Sequence, residues 1–411
     1  LSNLQLEGFE NNSCNPELAN VINAAFLKPM ECFRPLDIKA SRPTDVQSFF
    51  VVSKSAVLSA LKKLNPRKVA GSDCIPNWLL REYAEILLQP VSFILNCSFR
   101  EQKLPPSWKL ADVVPLPKKK PVKNPSKHLR PISLTPAISK LAEEFVVVTH
   151  VGPAVLSIID PNQYGGIARS SMLFALTSMF HHWSKASDGT GAAVRVVLFD
   201  YRKVFDLRDH NLLVQKILGL NIHGCVANWV IDFLCNRKQH VKLSSDCLSE
   251  WGPVPAGVPQ GTKLGPWLFL LKINDLKVDS LTWKYMDDTT VAEIVPRGEV
   301  GNAQRAVSMV ADWSLTNNMQ LNADKCKELI IDFKKNTHDF SSLVIEGNKL
   351  LVVSSAKILG VTISDNLKWN DHVLECIKKA NKRLFFIVLL RRANVPNKDI
   401  LDSYFCTVRP I

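Results

Sequence analysis

From Ser53 onward the apolar positions fall into regular patterns. Val57, Leu58, Leu61 and Leu64 recur at helical spacing, and Pro66 ends that run. Asp73 is placed to cap a second helix, with Pro76 in its first turn, and residues 78–99 keep a near-helical period. The texture changes over residues 105–136, where proline is frequent and short apolar pieces such as 111–116 read as strands. Helical patterning returns over 137–183, and residues 187–191 read as a turn. Residues 194–199 form a β-branched, apolar strand that ends at Asp200. Asp209 should cap the following helix and Gly219 close it. Next come a helix near 226–234, an alternating strand at 237–243, a Gly/Pro loop at 251–265 and an apolar helix from Pro266. Residues 281–295 read as a hairpin with Met286-Asp287-Asp288 at its tip. A helix near 303–317, strands at 326–333 and 357–363, and a basic helical segment from about His372 complete the chain. Residues 1–50 carry weak signals. Strands and helices interleave, which predicts a central sheet with helices on one face.

Composition narrows the class. Of 411 residues, 46% are hydrophobic and 22% charged, the balance of a globular chain. The net charge of +13 suits a polyanionic partner such as nucleic acid, and equally a merely soluble basic protein. The 10 cysteines are scattered with no Cys-x-x-Cys, which argues against a zinc site and for reduced intracellular thiols. The longest apolar stretch, 145–159, is broken by His150 and Gly152-Pro153 and falls short of a membrane span, so no membrane is expected. The chain opens at Leu1 with no leader pattern, and both ends read as cuts in a longer reading frame.

Three places carry candidate chemistry. Asp200 ends a buried strand; alone, it reads more readily as a loop cap than as a ligand. Asp287 and Asp288 adjoin at a hairpin tip, where their repulsion calls for a cation or for one acid to swing into solvent. Taken together, the strand end and the tip can hold two hard divalent ions about 3.5–4 Å apart, the arrangement that clamps both oxygens of a phosphoryl transfer. The third place is Gly257-Val258-Pro259-Gln260-Gly261-Thr262-Lys263-Leu264-Gly265-Pro266. Its glycines allow close backbone approach to a substrate, and Gln260 can bond a sugar or base. It lacks the Walker spacing, and a plain Pro/Gly connection would look the same.

The order of these motifs is informative. Asp200-x-x-x-x-Phe205-Asp206, then the 257–266 loop, then Tyr285-x-Asp287-Asp288 resembles the palm of reverse transcriptases. Trp108-x-x-Ala111-x-Val113, Pro117-Lys118 and Leu129-Arg130-Pro131-Ile132-Ser133-Leu134 resemble the fingers of the non-LTR (LINE-type) retrotransposon branch. Asp160-Pro161-Asn162-Gln163-Tyr164-Gly165, Leu321-Asn322-x-x-Lys325-Cys326-Lys327 and Ile358-Leu359-Gly360-Val361-x-Ile363 continue that family's text, over about residues 55–395.

The resemblance implies an α+β right-hand polymerase fold: fingers, palm and partial thumb, with a central antiparallel palm sheet backed by helices. It implies an extension over 1–54, fingers over 55–191, a palm over 192–365 and the start of a thumb over 366–411. The activity implied is RNA-directed DNA polymerisation with two Mg2+ ions, Mn2+ being the alternative, on an RNA template, a DNA primer and dNTPs. Asp200, Asp287 and Asp288 would be both the catalytic acids and the metal ligands. Phe205 would bar a 2′-hydroxyl, which disfavours an RNA-templated RNA polymerase. Gln260 and Gly261 would meet nucleotide and template, Lys118 and Arg130 the triphosphate, and Lys325 the leaving pyrophosphate. A metal phosphoesterase would need a His-rich ligand set that is absent. The setting implied is intracellular, with nucleus or cytoplasm open. The chain departs from the family at 144–160, in a shortened turn at 166–171, and at Arg208, where an apolar residue is usual. Those departures read as drift, and keep a second reading alive: a catalytically inactive, nucleic-acid-binding remnant.

Overall fold

A computed structural model describes residues 16–36, 50–119, 121–189, 191–204, 206–334 and 340–410. In chain order the elements begin with helices α1 (Pro16–Leu27), α2 (Lys54–Lys62), α3 (Asn77–Glu82) and α4 (Ala84–Glu101). Strand β1 (Leu110–Pro117), α5 (Pro125–His128), β2 (Leu129–Leu134), α6 (Ala137–Val146), α7 (Gly152–Ile158) and α8 (Met172–Ser187) follow. Then come β3 (Ala193–Phe199), α9 (His210–Gly219), α10 (Gly224–Leu234), β4 (Lys238–Val241), β5 (Gly252–Pro253) and α11 (Leu264–Ile273). The remainder is β6 (Leu281–Tyr285), β7 (Asp288–Val295), α12 (Ala303–Thr316), β8 (Lys327–Ile331), β9 (Val344–Ile345), β10 (Asn348–Lys349), β11 (Leu351–Val353), β12 (Ser355–Ile358), β13 (Val361–Ser364), α13 (Asn370–Arg392) and α14 (Asn397–Thr407). The chain folds as two units, one of Leu1–Gly166, Tyr201–Lys277 and Trp313–Gln320, the other of Ile167–Asp200, Val278–Asp312 and Leu321–Ile411.

The first unit is built on the sheet β2-β1-β4-β5. Strand β1 pairs antiparallel with β2, from Asp112↔Leu134 to Pro117↔Leu129, and parallel with β4. Leu18, Ala19, Ile22 and Phe26 of α1 pack on Val113, Leu129 and Val241. A helix thus stands in a stretch whose residues signal little. Its buried face also holds Asn23, which donates to the Glu250 carbonyl (3.0 Å) and accepts from Gln239 Nε2 (3.1 Å). Asp73 does not cap a helix. Its Oδ1 accepts from Ile75 N at 3.3 Å, closing the turn ahead of α3, whose N-cap is Pro76.

Helix α6, a π-helical turn at Val147–Val151 and α7 form one continuous 22-residue run from Ala137 to Ile158. Its length and apolar content reach those of a membrane span, which corrects the expectation drawn from 145–159. Half of its most apolar stretch is buried inside the protein. Buried within it is Glu143, whose Oε2 accepts from Lys263 N (2.7 Å) and Leu264 N (3.2 Å) at the start of α11. A carboxylate there answers the free N–H groups and the positive end of the helix dipole. Desolvation still raises its pKa, against the pull of those bonds and of Arg237 and Lys140.

The second unit is built on the sheet β11-β8-β3-β7-β6, antiparallel except for the β11/β8 pair. The β-branched run of β3 is central and buried, as its composition requires. Arg195 on β3 is also buried; its Nε donates to Glu328 Oε1 of β8 at 2.7 Å, and its guanidinium lies over Phe340. Helix α8 starts at the Ser171 cap and lies against β6, where Trp283 Nε1 donates to Ser178 Oγ at 3.0 Å. Residues 357–363, expected as one strand, fold as the β12–β13 hairpin. Leu359 (φ 46°) and Gly360 (φ 90°) form its two-residue turn, both in the left-handed region that such hairpins favour.

Helix α11 carries Lys272, fully buried and with no hydrogen-bond partner for Nζ among the described residues. Burial first, and then Arg208 and Lys216, lower its pKa to about 7, against Asp209 and Asp275. Between pH 7 and the ordinary lysine value the unfolded chain therefore holds the extra proton, so stability rises with pH through that window. Lys272→Met should stabilise the protein by about 1–4 kcal/mol below pH 7. The gain should shrink toward pH 10.5, and urea titrations at pH 6, 8 and 10 would check it; a pH-independent effect would remove the buried charge as its cause.

Candidate active site

The second unit carries an acidic cluster. The β3/β7 register runs from Ala193↔Val295 to Phe199↔Thr289, so one further step sets Asp200 opposite Asp288. Strands β6 and β7 close with Tyr285↔Asp288, leaving Met286 and Asp287 as the two-residue tip, with Met286 at φ 57°. Asp200 is held at its backbone as well: its carbonyl accepts from Asn322 N (2.8 Å), and its N–H donates to Cys326 Sγ (3.4 Å). Its carboxylate accepts from Asn322 Nδ2 (3.0 Å) and from Lys325 Nζ (3.2 Å), both at Oδ2.

Three carboxylates therefore crowd one sheet end. Asp288 is pushed up to about 6, by desolvation first and then by Asp287 and Asp200. The Asp288 residue itself is exposed at the hairpin tip. A hard divalent cation fits such an all-oxygen donor set and would relieve the repulsion. Among the described residues no ready-made cage of three His, Cys, Asp or Glu ligands exists, so the acids are gathered but not closed on one point.

The first unit carries its own cluster, around Gln260. Gln260 donates from Nε2 to Asp206 Oδ1 at 2.9 Å, and its carbonyl accepts from Ser133 N of β2 at 2.8 Å. Asp206 is half-buried; desolvation raises its pKa, while Gln260, Lys203, Lys118 and Arg208 pull it down. Lys203 Nζ donates to Ser126 Oγ at 2.7 Å. Gly261 has φ 127°, and a Cβ there would stand 2.6 Å from the Ser133 carbonyl oxygen. At this glycine the backbone closely approaches the protein's own strand β2.

Both ends of the 257–265 loop are tied to one residue. The Arg208 carbonyl accepts from Gly257 N at 2.8 Å. Its guanidinium donates to the Val204 carbonyl (3.0 Å) and the Gly265 carbonyl (3.2 Å), and it lies 4.7 Å over the Phe269 ring. His210 Nε2 donates to the Gly257 carbonyl at 2.6 Å, and burial lowers its pKa to about 4, so it stays neutral. Arg208 is fully buried, and its Nε and Nη1 tie it into the loop.

The sequence-derived residues are thus partly assembled. In the second unit Asp200, Asp287, Asp288 and Lys325 share one sheet end; in the first unit Lys118, Gln260 and Gly261 gather around Asp206. Arg130 is exposed on β2. Phe205 lies outside the described residues. Sequence reasoning assigned no role to Asp206, Asn322, Glu143 or His210. The spacing of Asp206 and Gln260 carries no hint of their bond, and only the positions of Asp206 and Asn322 within the motifs marked them at all.

A family model described as reverse transcriptase (RNA-dependent DNA polymerase) matches residues 116–363. The RNA-directed DNA polymerase from mobile element jockey of Drosophila melanogaster is 25% identical over 335 residues, covering 78% of this chain and 36% of that protein. The probable RNA-directed DNA polymerase from transposon X-element of the same fly is 26% identical, with the same two coverages of 78% and 36%. That from transposon BS is 24% identical, covering 80% of this chain and 37% of that protein. The chain thus spans little more than a third of the length of these curated relatives.

Two outcomes are expected. Asp288 has a raised pKa, so the folded chain gains protons over the unfolded one between pH 3.8 and about 6 and loses stability as pH rises through that window. Asp288→Asn should therefore raise the metal-free melting temperature above pH 6, and added Mg2+ should narrow the difference; a variant that melts with wild type in EDTA would show that the charges are not strained. Gly261→Ala should push the loop off Ser133 and lower any nucleotidyl transfer by at least about tenfold, the scale at which small misplacements act. A full-activity Ala variant would show that the approach is not needed.

Proposed function

The chain belongs to the reverse transcriptase (RNA-dependent DNA polymerase) family, and we propose that it adds deoxynucleotides to a DNA primer 3′-end on an RNA template, as a LINE-type polymerase. The observation that carries this is the crowding of Asp200, Asp287 and Asp288 at the end of one sheet, an arrangement that strains without a cation. The proposed layout is a right hand, with fingers over residues 55–191, a palm over 192–365 and the opening of a thumb over 366–411, after an extension over 1–54.

The family generally works with divalent metals. The proposed ions are Mg2+, with Mn2+ as the alternative, and Asp200, Asp287 and Asp288 would hold them. Bound there, they would activate the primer hydroxyl and neutralise the departing pyrophosphate. The chain's own groups orient the reactants. Asn322 and Lys325 fix the Asp200 carboxylate through Oδ2. Asp206 holds the Gln260 amide, so that Gln260 and Gly261 present a rigid surface to nucleotide and template. Lys118 and Arg130 would bind the triphosphate, and Lys325 would give a proton to the leaving group. Phe205 would exclude the 2′-hydroxyl, and residues 358–363 would grip the primer. All described cysteines are free, which supports an intracellular setting.

The test is primer extension on an RNA template with Mg2+ and dNTPs. Wild type should extend, Asp287→Asn should lose at least about a thousandfold, and Phe205→Ala should admit ribonucleotides. Soluble, folded wild type that binds primer–template and never extends it would overturn the reading in favour of an inactive nucleic-acid-binding remnant.

A further inference from the structure

A cleft of about 490 Å3 lies in the first unit between α2, the turn that follows it, α6 and Lys263, which it shares with the 257–266 loop. Its size is that of a small-molecule site. Four of its lining residues are Lys63, Lys68, Lys140 and Lys263, and among the described residues Glu144 is the one carboxylate that lines it. Glu144 pairs with Lys263 at 3.0 Å, which leaves the wall with a surplus of positive charge. Leu141 and the half-buried Phe145 give the same cleft an apolar surface.

The lysines are close enough to oppose one another. Burial lowers the pKa of Lys140, and Lys68 and Lys263 lower it further, against Glu143 and Asp73. Like charges gathered beside an apolar surface are a cost that an anionic ligand with a flat apolar part removes. A phosphorylated nucleoside has both parts: a base to lie on Phe145 and phosphate oxygens to meet ammonium groups. Four dispersed ammoniums suit several phosphate oxygens better than a single carboxylate.

We propose that this cleft binds a nucleotide, its base against Phe145 and Leu141 and its phosphates among Lys63, Lys68, Lys140 and Lys263. The nucleotide is either free or one link of an unpaired strand, since both offer the same chemistry. The proposal stands on the cleft and not on the polymerase reading; a chain unable to extend a primer would bind equally.

The experiment titrates the full chain, in EDTA, with dTTP and with a twelve-residue oligo-dT at several salt concentrations. Wild type is compared with Lys63→Glu/Lys68→Glu and with Lys63→Arg/Lys68→Arg, both positions being exposed. The reversal should weaken binding at least about tenfold and lower the salt slope by about 0.7 for each phosphate no longer neutralised, while the arginine pair keeps both. Loss for dTTP and oligo-dT alike identifies a site open to free nucleotide, and loss for oligo-dT alone identifies a strand site. Equal affinity and slope in wild type and the reversed variant would overturn the proposal, as would equal loss in the arginine pair. Should the double reversal fail to melt like wild type, Lys68→Gln is read in its place, with a slope change of about 0.7 expected and none disproving it.

Discussion

The antiparallel register between β3 and β7 is the constraint on which the acidic site depends. Strand register is quantised: a slip of one residue turns every side chain to the other face. With Phe199 opposite Thr289, Asp200 can only arrive beside Asp288, and the two-residue tip then places Asp287 next to them. The cost is electrostatic, visible in the raised Asp288 carboxyl. The sheet sustains it because β3 is paired on both sides and its core is apolar, apart from the buried Arg195–Glu328 pair. Such a pair adds little net stability over a packed apolar pair, but losing one partner would strand a buried charge, so it resists slippage between β3 and β8.

The 257–265 loop of the first unit obeys a different logic. A Gly/Pro loop has little side-chain packing of its own, so its position must come from elsewhere. Here it comes from buried polar groups at both ends: Arg208 and His210 on Gly257, Arg208 again on Gly265, and Glu143 on the first amides of α11. Each of these groups is costly to bury and strongly penalised when unpaired, so the set acts together. Gln260 is held as tightly, by its side chain on Asp206 and its carbonyl on Ser133.

What could be read in the sequence follows from these two logics. The β3 run, the acidic hairpin tip and the Asp209 cap are local: periodicity and a capping oxygen suffice, and Asp209 does accept from Asn211 and Leu212 N–H. The misreadings arise where a residue has two local options. Asp73 can cap a helix or close a turn, and Pro76 decides for the turn by taking the N-cap position itself. Leu359 hid a hairpin, because a leucine at positive φ is not a turn signal. Helix α1 was obscured by Asn23, a polar residue on the buried face whose partners lie more than two hundred positions away.

Arg208 shows the same limit from the other side. A charge where an apolar residue is usual reads as damage when only the neighbouring residues are known. Its acceptors, the carbonyls of Val204 and Gly265, and the Phe269 ring become apparent only once the loop and α11 fold back on it. The same fold brings Lys272 close enough to Arg208 for their charges to repel. A buried arginine keeps its charge because its guanidinium finds carbonyls; a buried lysine without acceptors gives up its proton near neutrality. The position therefore tolerates a cation because of the acceptors that surround it, and a substitution there must be judged against those carbonyls rather than against the hydropathy of the residue alone.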